Sequence, residues 1–328
     1  MSAPALTARI ERWPVAGAFT IARGAKTHVD VVVAEIADGR HVGRGEGTPI
    51  YYHGETAESV LAQIEGQRDV IAAGLTRAAL QTRLPRGAAR NALDCALWDL
   101  EAKRAGVPVW QLAGLARPQP LVTAFTISLA DPARMEADAR AAAHLPLLKL
   151  KLAGEGDRDR VAAVRRGAPD ARLIVDANEA WTGRDIAREA AALADFGIEL
   201  IEQPVKAGAD ALLDGGASPV PFGADESCQD RADLARCAGR YGAINIKLDK
   251  CGGLTEGVAL AAEARAAGFD VMVGCMLATS LGIAPAFLLA ADARWIDLDG
   301  ALLLAKDRDH AMPADAGRLA PPSPALWG

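Results

Sequence analysis

Between Leu147 and Gly253, single charged residues stand at the ends of short apolar runs. LLKLKL carries Lys149 and Lys151, RLIVDAN ends in Asp176, IELIEQP in Glu202, PFGADES in Asp225, and INIKLDK carries Lys247. Residue types of this kind could do one sort of chemistry together. Three carboxylates brought to one place repel each other unless a cation sits among them, and hard oxygen ligands favour Mg2+, which keeps positions open for water or substrate. Two amines flanking a bound molecule could take a proton from one face of a carbon and return it to the other. A proton α to a carboxylate is very weakly acidic, so the enediolate formed by its loss needs a cation as charge develops. A lysine acts as base only if its pKa is lowered, and Lys149 two residues from Lys151, together with the cation, is expected to press in that direction.

The positions from Lys151 through Asp176, Glu202, Asp225 and Lys247 are separated by 25, 26, 23 and 22 residues. Each step fits a strand, a helix and two short connections, the repeat of a parallel β/α unit. Helices are expected over residues 158–166, 183–196, 207–215 and 232–241. Strands at 121–127, 270–274 and 294–298 bring the count to eight, an α/β chain closed as a TIM-like (β/α)8 barrel. Lys151 then belongs to strand two and Lys247 to strand six, opposite each other at the C-terminal mouth where such barrels build their sites. Lys149 and Lys151 share a face because strand side chains alternate.

The segments LKLKL, DAN, EQP, ADES and IKLDKCGGLTE, in this order, resemble the enolase superfamily, muconate-lactonizing subgroup, and within it the dipeptide epimerases. ARGAK, GRGEGTP, GAARNALDCALWDLEAK, TAFT, VGCM and DLDG extend the resemblance over nearly the whole chain. It implies a (β/α)7β or (β/α)8 barrel over 119–299 under an N-terminal α+β capping domain of residues 1–118, completed by about 300–328. Lysine bases with Mg2+ are this family's own general scheme, so here the expectation is recognition as well as deduction. By the resemblance Lys151 and Lys247 are the acid/bases, Asp176, Glu202 and Asp225 the Mg2+ ligands, and Lys149 a partner of the substrate carboxylate. Asp297 and Asp299, two apart on one strand face, would hold a substrate α-ammonium. Thr126 and Cys275 would touch substrate.

The same resemblance implies a loop at residues 19–26 (FTIARGAK) closing over the site. It offers Arg23 and Lys26 as cations, with Arg23 expected to meet a glutamate side chain, while Tyr51, Tyr52 and His53 form a second wall. The implied activity is 1,1-proton transfer at the C-terminal residue of a dipeptide, L-Ala-D/L-Glu from murein peptides. The alternatives are N-acylamino acid racemisation, o-succinylbenzoate synthesis, cycloisomerisation or a non-catalytic binding barrel. No His stands near the end of strand six or seven, so a mandelate-racemase-type His base is not expected.

Composition bounds the rest. The 328 residues are half hydrophobic, enough for a large core, and carry a net charge of -6 with no basic stretch and 5% aromatics. That profile fits poorly with a nucleic-acid partner. The opening MSAPALTARIERW has no long apolar segment before a cleavage site, so secretion is not expected. Residues 271–291 lack charge, but their Gly, Pro, Thr and Ser favour a buried strand and helix over a membrane span. Five cysteines without a CxxC suggest neither disulfides nor zinc, and reduced thiols fit a cytoplasmic protein. Oligomeric state is left open.

Overall fold

A computed structural model of the chain describes residues 3–21, 24–216 and 218–328. Strands β1 (Ala5–Ile21), β2 (Gly24–Asp38) and β3 (His41–Gly47) form an antiparallel sheet. Helices α1 (Ala57–Glu65) and α2 (Ala88–Ala105) cover one face of it. A short helical stretch, Arg68–Ala72, follows α1 after a break at Gly66–Gln67, and the expected loop at residues 19–26 is not a loop where described. Phe19 pairs with Lys26, Thr20 with Ala25 and Ile21 with Gly24, so the segment is the tip of the β1–β2 ribbon.

Eight parallel strands follow: β4 (Phe125–Ile127), β5 (Leu147–Lys151), β6 (Arg172–Asp176), β7 (Ile198–Glu202), β8 (Phe222–Ala224), β9 (Ala243–Ile246), β10 (Asp270–Gly274) and β11 (Trp295–Asp297). They are hydrogen-bonded in sequence order, and Ala124 N donating to Ile296 O (2.7 Å) joins the last strand to the first. The connecting helices are α3 (Pro132–Ala141), α4 (Asp157–Gly167), α5 (Ile186–Ala194), α6 (Leu254–Ala266) and α7 (Ser280–Phe287). Two expected helices shrink. Residues 207–215 hold only a 3-10 turn, Asp210–Leu213, and 232–241 only the short turns Arg231–Asp233 and Leu234–Cys237. In both places glycines in the left-handed region, Gly208 (φ 90°), Gly215 (φ 71°) and Gly239 (φ 77°), bound the turns and keep them short.

Inward-facing residues alternate along each strand and so stack in layers. The lowest layer is apolar: Ala124, Leu147, Ile174, Leu200, Ala243, Met272 and Trp295. Two residues further along come Thr126, Lys149, Asp176, Glu202, Asn245, Gly274 and Asp297. An oily plug therefore supports a polar floor.

The chain after the barrel returns to the cap. Ala16 N donates to Leu303 O, Ala305 N to Pro14 O, and the buried Trp327 gives its indole N–H to Cys95 O (3.1 Å). No helix among the described residues is long and apolar enough to cross a membrane, and all five cysteines are free.

Candidate functional site

A cavity of about 210 Å³ opens at the C-terminal ends of the barrel strands, beneath the β1–β2 tip and the 48–52 turn. Lys149, Lys151, Thr126, Asp225, Lys247, Cys275, Asp297, Asp299 and Tyr52 all line it, with Phe19, Lys26, Asn178, Glu226 and Leu277 completing its wall. Asp176 and Glu202 lie just beneath, fully buried and in register with their neighbours: Lys151 pairs with Asp176, and Asp176 with Glu202. Arg23 lies outside the described residues. Lys26, three residues on, faces the cavity, and desolvation holds its ammonium below the ordinary lysine range.

Lys151 and Lys247 reach this cavity from strands four apart in a ring of eight. Lys151 Nζ is 2.7 Å from Asp176 Oδ2 and 5.8 Å from the centre of the Phe19 ring. Lys247 Nζ is 2.6 Å from Asp225 Oδ2 and 4.0 Å from Glu202 Oε1. Lys149 is held by Glu202 (2.5 Å), Asp297 (2.6 Å) and Asp176 (3.5 Å). Asp225 also receives Lys250, whose Nζ is 2.7 Å from its Oδ1 and bonds to its carbonyl. Asp299 accepts Thr126 N–H at 2.7 Å.

Four buried ammonium groups (Lys149, Lys151, Lys247, Lys250) thus face six buried carboxylates (Asp176, Glu202, Asp225, Glu226, Asp297, Asp299) among the described residues, a formal excess of two negative charges. The protonation balance reflects it. Burial alone would raise Asp176, but Lys151 and Lys149 hold it down to about 2. Burial and then the Asp176 charge push Glu202 up to about 7, and burial with Asp297 does the same to Asp299. Lys247 is held in its charged form by its carboxylate neighbours. Burial pulls it down, yet Asp225 and Glu202 outweigh that and keep its ammonium well above the ordinary range.

Among the described residues no three side chains form a compact metal cage. Each of Asp176, Glu202 and Asp225 is drawn toward a lysine instead. The donor set nevertheless fits a hard cation: three carboxylates on successive strand ends, an excess of negative charge, and two buried oxygens, Glu202 Oε2 and Asp225 Oδ1, whose close partners are ammonium groups that a cation could replace.

Several residues that shape the site escaped the reading of the sequence. Asn245 Nδ2 donates to Glu202 Oε1 at 2.7 Å. Its signal was available, since it precedes Lys247 by two and must share its face. Gln203 accepts the backbone N–H groups of Asp225 and Ser227 at 2.8 and 3.1 Å. Asn178, two residues after Asp176, and Gln203, directly after Glu202, have left-handed φ of 44° and 38°, a strain that clusters at functional turns.

The fold and this arrangement of strand-end lysines and carboxylates define a class, and the chain belongs to the enolase superfamily. Residues 133–323 match the enolase C-terminal domain-like family and residues 5–114 the N-terminal domain of the mandelate racemase / muconate lactonizing enzyme family. Within the class it is similar to the L-Ala-D/L-Glu epimerase of Escherichia coli K12, 45% identical over 94% of this chain and 97% of the relative. It is also similar to an N-acetyl-D-glutamate racemase of a Pseudoalteromonas species, 41% identical over 91% and 95%. Among solved structures, an enolase family member from Agrobacterium tumefaciens with homology to dipeptide epimerases, holding sodium and L-Ala-L-Glu, is 52% identical with a TM-score of 0.97 over 99% of this chain and 100% of that one. A dipeptide epimerase from Enterococcus faecalis V583, complexed with Mg and L-Leu-L-Tyr, is 32% identical with a TM-score of 0.90 over 98% and 97%.

Proposed function

We propose that this protein is a Mg2+-dependent isomerase that inverts the α-carbon of the C-terminal residue of a dipeptide, with L-Ala-L-Glu and L-Ala-D-Glu as its substrate pair. The observation that carries the reading is the placement of two lysines on opposite sides of one cavity that also contains Asp297 and Asp299.

In this reading Asp176, Glu202 and Asp225 hold the metal, which supplies a Lewis acid for the substrate carboxylate and positive charge that competes with the ammonium groups for the three carboxylates. Lys151 takes the α-proton of one isomer and Lys247 gives a proton to the opposite face; for the other isomer the roles exchange. Lys149 meets the substrate carboxylate. Asp297 and Asp299 receive the α-ammonium, a group that muconate-type substrates lack. Thr126, Cys275 and Tyr52 confine the dipeptide, and Lys26, with Arg23 on the same segment, meets a carboxylate side chain. Cell-wall peptides as the source of substrate and a cytoplasmic location belong to the same proposal.

The similarity to an N-acetyl-D-glutamate racemase favours one rival, racemisation of N-acylated amino acids. Side-by-side assays of L-Ala-L-Glu and N-acetyl-L-glutamate separate the two. Epimerisation of the dipeptide with little turnover of the acylated compound is expected, and the reverse order would replace the proposal by its rival. Lys26→Ala should raise KM for L-Ala-L-Glu about tenfold or more while changing L-Ala-L-Leu little, since only the former offers an anionic side chain.

A further inference from the structure

Four of the carboxylates at the barrel mouth, Asp176, Glu202, Asp225 and Asp297, are paired with lysines, but Glu202 has a further partner of a different kind. Glu202 Oε1 accepts the side-chain amide of Asn245 at 2.7 Å. The ionised carboxylate that would hold a cation only accepts, so the nitrogen of this amide faces Glu202. Asn245 is 1% exposed, and its Oδ1 has no hydrogen-bond partner. The bond leaves Glu202 Oε2 as the oxygen turned to Lys149, 2.5 Å away.

Two neighbours are fitted to this amide. On the adjacent strand, a Cβ at Gly274 would lie 2.6 Å from Asn245 Oδ1 and 3.0 Å from Nδ2, so a side chain there would drive the amide away from its place. The Gly274 backbone is ordinary strand, so its lack of a side chain answers to the space Asn245 needs and not to a special φ. On its other side, the Asn245 carbonyl accepts Lys250 Nζ at 2.9 Å, and the same ammonium holds Asp225. One residue is therefore linked to two of the three carboxylates, by its side chain to Glu202 and through Lys250 to Asp225.

We infer that Asn245 is a positioning residue that presets the Glu202 carboxylate for a divalent cation, with Gly274 kept small to admit it. An amide suits this task because it fixes one oxygen without neutralising the charge. An ammonium in its place would compete with the cation for the same group. Partners of this sort around a metal ligand commonly change affinity by about 10- to 100-fold when removed.

The inference rests on Glu202 being a metal ligand, and the experiment separates the two. The full-length, substrate-free protein is titrated calorimetrically with MgCl2, and thermal unfolding is recorded for each variant. Asn245→Ala is expected to weaken Mg2+ binding about tenfold or more, Gly274→Ala to weaken it less, and Asn245→Ala/Gly274→Ala to be no worse than Asn245→Ala alone, because the clash has lost its target. Glu202→Gln is the control. If it binds Mg2+ like the wild type, the ligand reading itself fails. If it loses binding while Asn245→Ala retains wild-type affinity, or if the two single effects simply multiply in the double variant, the positioning role is overturned. Should Asn245→Ala not fold, unchanged affinity in Gly274→Ala overturns it equally.

Discussion

Lys151 and Lys247 bring the same group into the same cavity with unequal surroundings. Lys151 has one close carboxylate and the Phe19 ring above it, whereas Lys247 lies between Asp225 and Glu202. Each is buried among partners that must release it before it can act as a base. Substituting Asp225 therefore affects more than the proposed metal ligation. Asp225→Asn is expected to leave Lys247 without its closest counter-charge and to lower epimerisation by at least about 100-fold, with Mg2+ affinity falling in the same variant, read by initial rates and titration. At this scale the sequence was most legible where charge is unusual. A Lys, Asp or Glu at the end of an apolar run stands out because burying it is costly. Asn245, Gln203 and Gly274 carry no charge, so nothing in their type distinguished them, and only period-two counting from Lys247 could have brought Asn245 forward.

At the scale of elements, β3 shows how a short sequence serves two faces at once. In HVGRGEG the glycines alternate, and a Cβ at Gly43, Gly45 or Gly47 would come within 2.1, 2.1 and 2.3 Å of the α2 carbonyls of Ala96, Ala92 and Ala88. The strand backbone is packed directly on the helix. Glu46, on the opposite face, accepts the backbone N–H of Thr279 at 2.8 Å and Arg308 Nη2 at 2.7 Å, which binds the cap to the barrel and to the returning C-terminal segment. Gly45→Ala should therefore cost about 3 kcal/mol or more, since backbone and not a flexible side chain must yield; the urea midpoint measures it, and a loss under about 1 kcal/mol would contradict the packing described. GRGEG could be noticed in the sequence as a motif, but its reason needs α2 beside it. The long barrel strands and α4 were legible from their periodicity. The connections after Glu202 and Asp225 were not, because a regular 25-residue rhythm says how much chain is present and not whether it is helical.

The whole molecule is held as one body by buried polar links between cap and barrel. Asp249 accepts Thr48 N–H and Asn91 Nδ2, at 2.9 and 2.8 Å, and Asp94 of α2 accepts Thr255 N–H and Oγ1–H of α6, at 2.9 and 2.6 Å. Burial raises Asp94 to about 6, above the value near 4 of an unfolded aspartate. A raised acid binds its proton more tightly in the folded state, so its contribution is full below about pH 4 and is lost as pH rises through about 6. The loss is of order 3 kcal/mol. Comparing unfolding free energy at pH 4.5 and 7.5, Asp94→Asn should lose less stability than wild type over that interval, and an identical difference would contradict the shift. Eight-strand closure was readable from spacing, whereas the seating of residues near 302–328 against α2 depends on single contacts such as Trp327 with Cys95 that no periodicity announces. The molecule's central claim is that amines from opposite sides of the barrel share one α-carbon. Proton exchange of L-Ala-L-Glu and L-Ala-D-Glu in D2O, followed by NMR for Lys151→Ala and Lys247→Ala, tests it most directly. Neither variant should epimerise, and each should retain exchange from at most one isomer, a different one for each; epimerisation at the wild-type rate by both variants would contradict the account.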